Sequence, residues 1–584
     1  MGVALGPDAL ANSALQAGLG MSNAAIFYHP EAFSTDGPKL MGRNAAGESF
    51  LRGYFSYAAE SDVIYAQVIA QSHADHFDQK AKEYGRKEQI KAFSKHNLGL
   101  AEKARVVYHP GPGIGEHAYQ RRLFGDDKWS LCGITHTTSS AGAMDSIAEL
   151  ITAPVQSWDG LICTSTAVRH NVQTVLQAQA DDLQQRLGAT KLVLPKIPVI
   201  PLGIHTQDFD YTESQRASAR QQLGADSETL VVVYMGRLSF HAKAHPLAMY
   251  QALQKASLDS GKNVILVECG WHANDSIRDA FSDAAKLVAP DVRVVTLDGR
   301  AEANRTIAWS GADVFCSLSD NIQETFGITP VEAMAAGLPV VVTDWDGYKD
   351  TVRHEVDGFR VPTLAPAPGL LGDLSHRHAL GIDTYDMYCG HSSSFVAVDA
   401  NALASSFTAL FSSPALREKM GQASRERART DYDWKTIIGR YEAFWSELND
   451  TRLAAQFERR KTTEALNKQP AQKQSKPECW PARLDPSVGF SSYPTSQLTV
   501  NTSLSLLLPL DEALRLLAEL KTLRMVDYAK LVFPTDEEIN QVLSAASETP
   551  RPASALLVNI DPARKPYVLR SLAWLAKLGI LSFS

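Results

Sequence analysis

From Ala24 onward, short apolar runs alternate with longer segments of helical periodicity. That alternation is the pattern of βα units on a parallel sheet, because such strands are buried on both faces while the helices cover them. The first run, NAAIFYHPEAF at 23–33, reads as a strand and its exit loop. GRNAAGESFLRGYF at 42–55 reads as a small-residue turn entering an amphipathic helix. Further strands are expected at Val63–Val68, Ala104–His109, Leu131–His136 and Leu161–Ser165, and VIPLGIH at 199–205 closes this half. A second half opens near Tyr211, with strands expected at 229–235, 263–269, 292–297, 313–318 and 339–343. Helices such as 246–258 and 274–287 lie between them. The stretch 363–396 is polar and rich in Gly and Pro, too long for a connecting loop, and reads as an insertion. Helices are expected again at 399–430 and 434–449.

The character of the chain then changes. Residues 452–477 carry Arg452, Arg459, Arg460, Lys461, Lys468, Lys473 and Lys476 against Glu458 and Glu464, which reads as a basic linker. The last segment, 501–584, is helical and ends in an amphipathic helix stopped by Gly579 and a short apolar strand, the pattern of a small winged-helix-like domain. The expected division is an N-terminal extension (1–22), an N-terminal α/β domain (23–205) and a second α/β domain (206–432) carrying the insertion 363–396. A helix crossing back to the first domain (433–450), a linker (451–500) and a tail domain (501–584) follow.

Composition narrows the class. With 584 residues, 45% hydrophobic and 21% charged, the chain can build several cores. A net charge of −8 gives no global field toward nucleic acid or an anionic membrane. Cys132, Cys163, Cys269, Cys316, Cys389 and Cys479 form no CxxC pair, and the first four lie in apolar runs as reduced core cysteines do. No run of about eighteen apolar residues is present, and the first twenty residues lack a signal-peptide pattern. A cytoplasmic protein is expected, with peripheral attachment at the inner membrane face as the variant reading. HADH at 73–76 reads as a solvated stretch, so no metal set is expected.

The chemistry concentrates at 317–347. In Thr329-Pro330-Val331-Glu332 the threonine suits an N-cap, the proline the first helical position and the glutamate a capping box, so a helix is expected from residue 330. Locally Glu332 is then a cap; functionally its carboxylate could accept hydrogen bonds from a ribose diol. Just before it stands Glu324-Thr325-Phe326-Gly327-Ile328. A helix N-terminus with a glycine beside it makes an anion site, and an acid at its edge suits a sugar hydroxyl attached to the phosphate. After the strand at 229–235 comes GRLSFHAK at 236–243, where Arg237 and Lys243 can clamp a diphosphate.

These pieces in this order resemble a retaining glycosyltransferase of family 4. The resemblance rests on ETFGITPVE (324–332) with AMAAGLPVV after it, GRLSFHAK, VIPLGIH, DGFRVP (357–362) and DYDWKTIIGRYEAFW (431–445). It covers roughly 24–450 and is denser in the second half. It implies the GT-B fold, two Rossmann-like α/β domains facing a cleft. It implies that Glu332 holds the donor ribose and that Glu324 touches the donor sugar. Phe326, Gly327, Ile328 and Thr329 would line sugar and phosphates, and Arg237 and Lys243 would bind the diphosphate. Gly47 in Ala46-Gly47-Glu48 resembles the family's glycine-rich loop. His136 and Ser165 resemble residues at strand ends facing the donor, and Arg300 is placed near the base. The implied reaction is metal-independent front-face displacement with no cofactor, from a UDP- or GDP-sugar to a glycan, lipid-linked or protein acceptor. Cleft closure completes the site, with the 434–449 helix tying the halves. The sequence departs from the pattern at Leu202-Gly203-Ile204-His205, where Asn-Gly-Val-Asp is usual, at Asp346-Gly347, at Asp350, where Glu is common, and in having one glycine at 47.

The residues leave other function classes open. The same fold serves sugar-nucleotide epimerases and phosphorylases. The tail, with Arg564, Lys565, Arg570 and Lys577, could make a nucleic-acid-binding regulator, although the acidic balance disfavours DNA. A protein contact or homo-oligomer through 501–584 is the preferred role for the tail. The basic linker also admits a membrane surface and a lipid-linked acceptor.

Overall fold

The computed structural model describes residues 23–34, 42–466 and 480–584. The expected extension at 1–22 lies outside these residues, as do Lys468, Lys473, Lys476 and Cys479. The chain divides into two compact units, Met1–Trp480 and Pro481–Ser584.

The first unit contains two six-stranded parallel sheets. One is built from β1 (Ala25–Tyr28), β2 (Val63–Val68), β3 (Gln89–Phe93), β4 (Val106–Tyr108), β5 (Ser130–Ile134) and β6 (Gly160–Ile162), in the order β3-β2-β1-β4-β5-β6. The other comprises β7 (Leu230–Met235), β8 (Val264–Gly270), β9 (Val292–Asp298), β10 (Val314–Ser317), β11 (Val340–Thr343) and β12 (Gly358–Val361), in the order β12-β11-β10-β7-β8-β9. Read from opposite ends, the two orders are the same doubly wound topology. Each sheet reverses direction beside its first strand, which opens a crevice at the strands' carboxyl ends. Both halves are Rossmann-like, and together they make a GT-B fold.

Position in the sheet explains which strands could be read. β7 is central, all six of its residues are buried, and Val233 lies opposite both Val267 and Phe315. β3 is an edge strand with only Phe93 buried, and β12 has four residues of which two are half-buried. Neither forms an apolar run, and the sequence reading passed over both. The strand expected from Ala104 starts at Val106, because Ala101–Ala104 closes a helical turn and Arg105 takes a positive φ of 66°. The helix expected over 399–430 breaks into Ala400–Ser412 and Pro414–Arg427, because Ser413 caps the second helix and Pro414 opens it. A five-residue π turn, Ala428–Tyr432, follows.

The crossing helix is longer than expected, running from Trp434 to Leu466. Trp434, Tyr441 and Trp445 pack on Phe50, Tyr54 and Tyr108 of the first half. One hydrophobic core continues from β1 through this helix to β11. Arg452, assigned to a basic linker from sequence, is instead buried at 5% exposure and donates to the Asp127 carbonyl at 3.1 Å. Gln456 donates to the same carbonyl at 2.6 Å, and the Arg459 guanidinium lies over the Trp158 ring. The compact unit therefore extends past residue 451. At the junction, Ile204 exchanges backbone hydrogen bonds with Tyr432 and Trp434, so main-chain groups make the contact there.

The insertion has its own structure. Its neck is a pair of short antiparallel strands, β13 (Thr363–Leu364) and β14 (Ala397–Val398), and it carries the helices Gly372–Ala379 and Tyr385–Ser393. In the second unit, β15 (Ser503–Leu506) lies between β16 (Arg551–Pro552) and β17 (Leu581–Phe583). The helices Leu510–Leu520, Asp536–Ala545 and Lys565–Lys577 share a core with it around Leu504, Leu543 and Leu572. Arg564 is forked on Glu538 and Arg570 donates to the Val532 carbonyl, so two of the tail's four singled-out cations serve its own fold. Among the described residues, no helix is long and apolar enough to cross a membrane.

Candidate active site

The carboxyl ends of β7, β10 and β11 meet those of β5 and β6, and most of the chemistry flagged in the sequence collects there. After β10 the chain runs to Gly327, the N-cap of the Ile328–Ala335 helix, at φ 85°. A Cβ on Gly327 would stand 2.0 Å from Tyr348 Cε1, so glycine is required both by conformation and by the close approach. This corrects the expected cap. The helix begins before Thr329, its cap makes no side-chain hydrogen bond, and no Thr329–Glu332 capping box forms. The turn against Tyr348 sets the helix start two residues early and leaves Thr329 inside it. Glu332 lies in a different environment: burial raises its carboxyl to about 7, with Arg305 acting in the opposite direction.

Lys243 Nζ lies 2.5 Å from Glu324 Oε2. Burial opposes ionisation of Glu324, but Lys243 and the amides of Thr325 and Phe326 outweigh it and hold the carboxyl below its usual range. Arg237 Nη2 donates to Gln323 Oε1 at 2.9 Å and to the Ala242 carbonyl at 3.0 Å. The Phe326 side chain is buried against Tyr432, so it reaches the cleft through its backbone.

The two halves touch across the crevice. Thr325 Oγ1 donates to the His136 carbonyl at 3.3 Å, and Thr164 Oγ1 donates to the Thr325 carbonyl at 3.4 Å. Ser165 caps the Thr166–Leu187 helix and its hydroxyl donates to Asp346 Oδ1 at 3.3 Å. The Thr166 amide donates to Asp350 Oδ2 at 2.6 Å. Asp346 takes φ 43°, and its carboxyl is pushed up to about 8 by burial and by the neighbouring Glu324. Burial likewise lifts Asp320 to about 7, and its Oδ1 has no hydrogen-bond partner.

Of the residues named from sequence, the structure brings together Arg237, Lys243, Glu324, Phe326, Gly327, Ile328 and Thr329, with His136 and Ser165 opposite. Gly47 is not on a loop: it lies in the Gly42–Tyr57 helix, where a Cβ would stand 2.0 Å from the Ala32 carbonyl oxygen. Its smallness serves helix packing. Arg300 is exposed and forked on Asp298, and the arginine acting on Glu332 is Arg305, which donates to the Gly299 and Arg300 carbonyls. Sequence reasoning missed Arg305 because it sits inside a helix, missed Gln323 because a polar loop residue carries no signal, and missed Tyr385 because it belongs to the insertion. The departure at Asp346 was visible but had no assigned role. Among the described residues, no group of three or more His, Cys, Asp or Glu is placed to hold a metal ion.

Residues 215–366 match the family model described as glycosyl transferases group 1. The matched segment lies in the second α/β half. It contains Arg237, Lys243, Glu324, Glu332 and Asp346, while His136, Ser165 and Tyr385 lie outside it. An uncharacterized glycosyltransferase of Methanocaldococcus jannaschii is 29% identical over 170 residues, 28% of this chain and 41% of that one. The D-inositol 3-phosphate glycosyltransferase of Corynebacterium glutamicum is 24% identical over 369 residues, 62% of this chain and 77% of that one. Several curated relatives are matched over less than half of their length. Among solved structures, Anabaena HepE in complex with UDP is 15% identical with a TM-score of 0.47, covering 72% of this chain and 100% of that one.

Proposed function

We propose that this protein transfers a hexosyl group from a nucleoside diphosphate sugar, UDP- or GDP-linked, to an acceptor hydroxyl with retention of configuration. The observation that carries the reading is the convergence of Lys243, Arg237, Glu324 and the N-terminus of the Ile328–Ala335 helix at the carboxyl ends of β7 and β10. A diphosphate there would meet two cations and a positive helix end, the groups that stabilise charge on a departing nucleoside diphosphate. Glu324, ionised beside Lys243, is set to accept hydrogen bonds from sugar hydroxyls. Glu332 would take the ribose diol. In front-face displacement the acceptor oxygen bonds to the anomeric carbon on the face from which the phosphate oxygen leaves, and that oxygen takes the acceptor's proton. No protein nucleophile or metal ion is required, and the enzyme's part is positioning and charge stabilisation. The acceptor is a glycan, lipid-linked or protein hydroxyl.

A thermal-shift panel of UDP- and GDP-sugars tests this. A ligand bound only by the folded protein at about a hundred times its Kd adds about 2.7 kcal/mol of stability, a shift of about 2–3 °C for a cooperative unit of this size. One nucleotide class should raise the melting temperature, and Lys243→Ala should abolish most of that rise relative to the variant's own ligand-free value. No shift with any nucleotide sugar, or an undiminished shift in Lys243→Ala, rejects the proposal.

A further inference from the structure

The insertion reaches back over the site. Its two helices are clamped to each other: Arg377 is forked on Asp383, at 2.7 and 3.0 Å, and His391 Nδ1 lies 3.1 Å from the same carboxylate, whose side chain is fully buried. His378 stacks on Tyr388 at 4.2 Å. The Tyr385–Ser393 helix seats Gly390 on the loop that carries both cations, where a Cβ would be 3.0 Å from His241 Cβ. Asn321 fixes that loop in turn, donating to the His241 carbonyl at 2.9 Å. At the N-terminal end of the same helix, the Tyr385 hydroxyl lies 3.0 Å from Ser139 Oγ and 3.4 Å from Thr137 Oγ1, both in the segment after β5. Beside that loop, Gln323 Oε1 holds the Arg237 guanidinium at 2.9 Å.

We infer that the insertion is a strap across the cleft and that Tyr385 is a positioning residue. Its hydroxyl holds the 137–139 segment of the first half, while the other end of its helix, at Gly390, is seated on the 236–243 loop that carries Arg237 and Lys243. The role of Arg237 rests on the proposed transfer reaction; the bridge between the halves does not. An isolated packing role would need only the ring of Tyr385. The bridge needs the hydroxyl, which the Ser139 and Thr137 side chains of the first half share. Cleft closure and the placement of the cation-bearing loop are thereby coupled through one helix.

Tyr385→Phe in the full-length chain keeps the ring and removes the bridge. Hydrogen exchange should speed up by about three- to tenfold at amides 136–140, while the 372–393 helices keep their protection. With a donor identified, kcat should fall by about three- to tenfold and KM for the donor should stay within about twofold. Ser139→Ala should give a similar kcat loss, and the double variant with Tyr385→Phe little more than either single one. Unchanged exchange at 136–140 overturns the strap, and additive kcat losses overturn the Tyr385–Ser139 bond as the source of the positioning. If the wild-type chain binds no nucleotide sugar, the transfer reading falls, and the exchange comparison still decides the strap.

Discussion

Asp346 combines a left-handed backbone, burial and a like charge nearby. An aspartate tolerates φ 43° better than most residues because its side chain is short and polar, and here its Oδ1 also accepts from the distant Ser165 hydroxyl. Burial and Glu324 raise its carboxyl to about 8, far above the value near 4 of an unfolded chain. Between those values the folded state holds a proton that the unfolded state has lost. Stability from this group is therefore full below about pH 4, falls as pH rises and is gone above about pH 8. Asp346→Asn keeps the backbone preference and removes the titration. Melting temperatures measured from pH 5 to 9 should fall less steeply in the variant than in the wild type, and parallel curves would contradict the account. Glu332 teaches a related lesson. Its local sequence fits a capping box, but the contact of Gly327 with Tyr348 starts the helix early and leaves the carboxyl near Arg305.

Among the elements, the crossing helix decides whether the two halves form one body. Trp434 is fully buried, its indole N–H donates to Ser49 Oγ at 2.7 Å, and its ring fills the space above Gly53 and Gly203. Trp434→Ala should cost about 3–5 kcal/mol, the usual range for deleting a buried aromatic ring. Urea denaturation would show it as a lower midpoint, and a midpoint within error of the wild type would mean that the helix does not tie the halves. The start of this helix was legible because DYDWKTIIGRYEAFW has strong apolar periodicity. Its continuation from 451 to 466 was not, because Arg452, Gln456 and Arg459 look like solvated linker residues. Their burial follows from what lies opposite them, namely Asp127 and Trp158.

For the whole molecule, the separation at Trp480–Pro481 predicts how the chain can be cut. A chain ending at Trp480 should keep its nucleotide-sugar thermal shift, since the donor-site groups all belong to the first unit. A chain ending at residue 450 loses the contacts of Arg452 and Gln456 and should melt at a lower temperature than the longer one. Equal melting temperatures for the two would place the boundary back at 451.

The sequence by itself determined the βα alternation, the two halves, the central strands and the local order of Arg237, Lys243, Glu324 and Gly327. All of these rest on short-range patterns: apolar runs, the anion-binding character of a helix N-terminus, and cations at a strand end. Only the tertiary structure decided that Gly47 packs against Ala32, that Arg305 rather than Arg300 acts on Glu332, and that Ser165 meets Asp346. It also decided that Tyr385 crosses to Ser139. These partners are separated by 15 residues (Gly47 and Ala32) to 246 residues (Tyr385 and Ser139) in sequence. Which side chain fills a site is settled by where the sheets and the crossing helix bring distant segments together, and no local pattern records that.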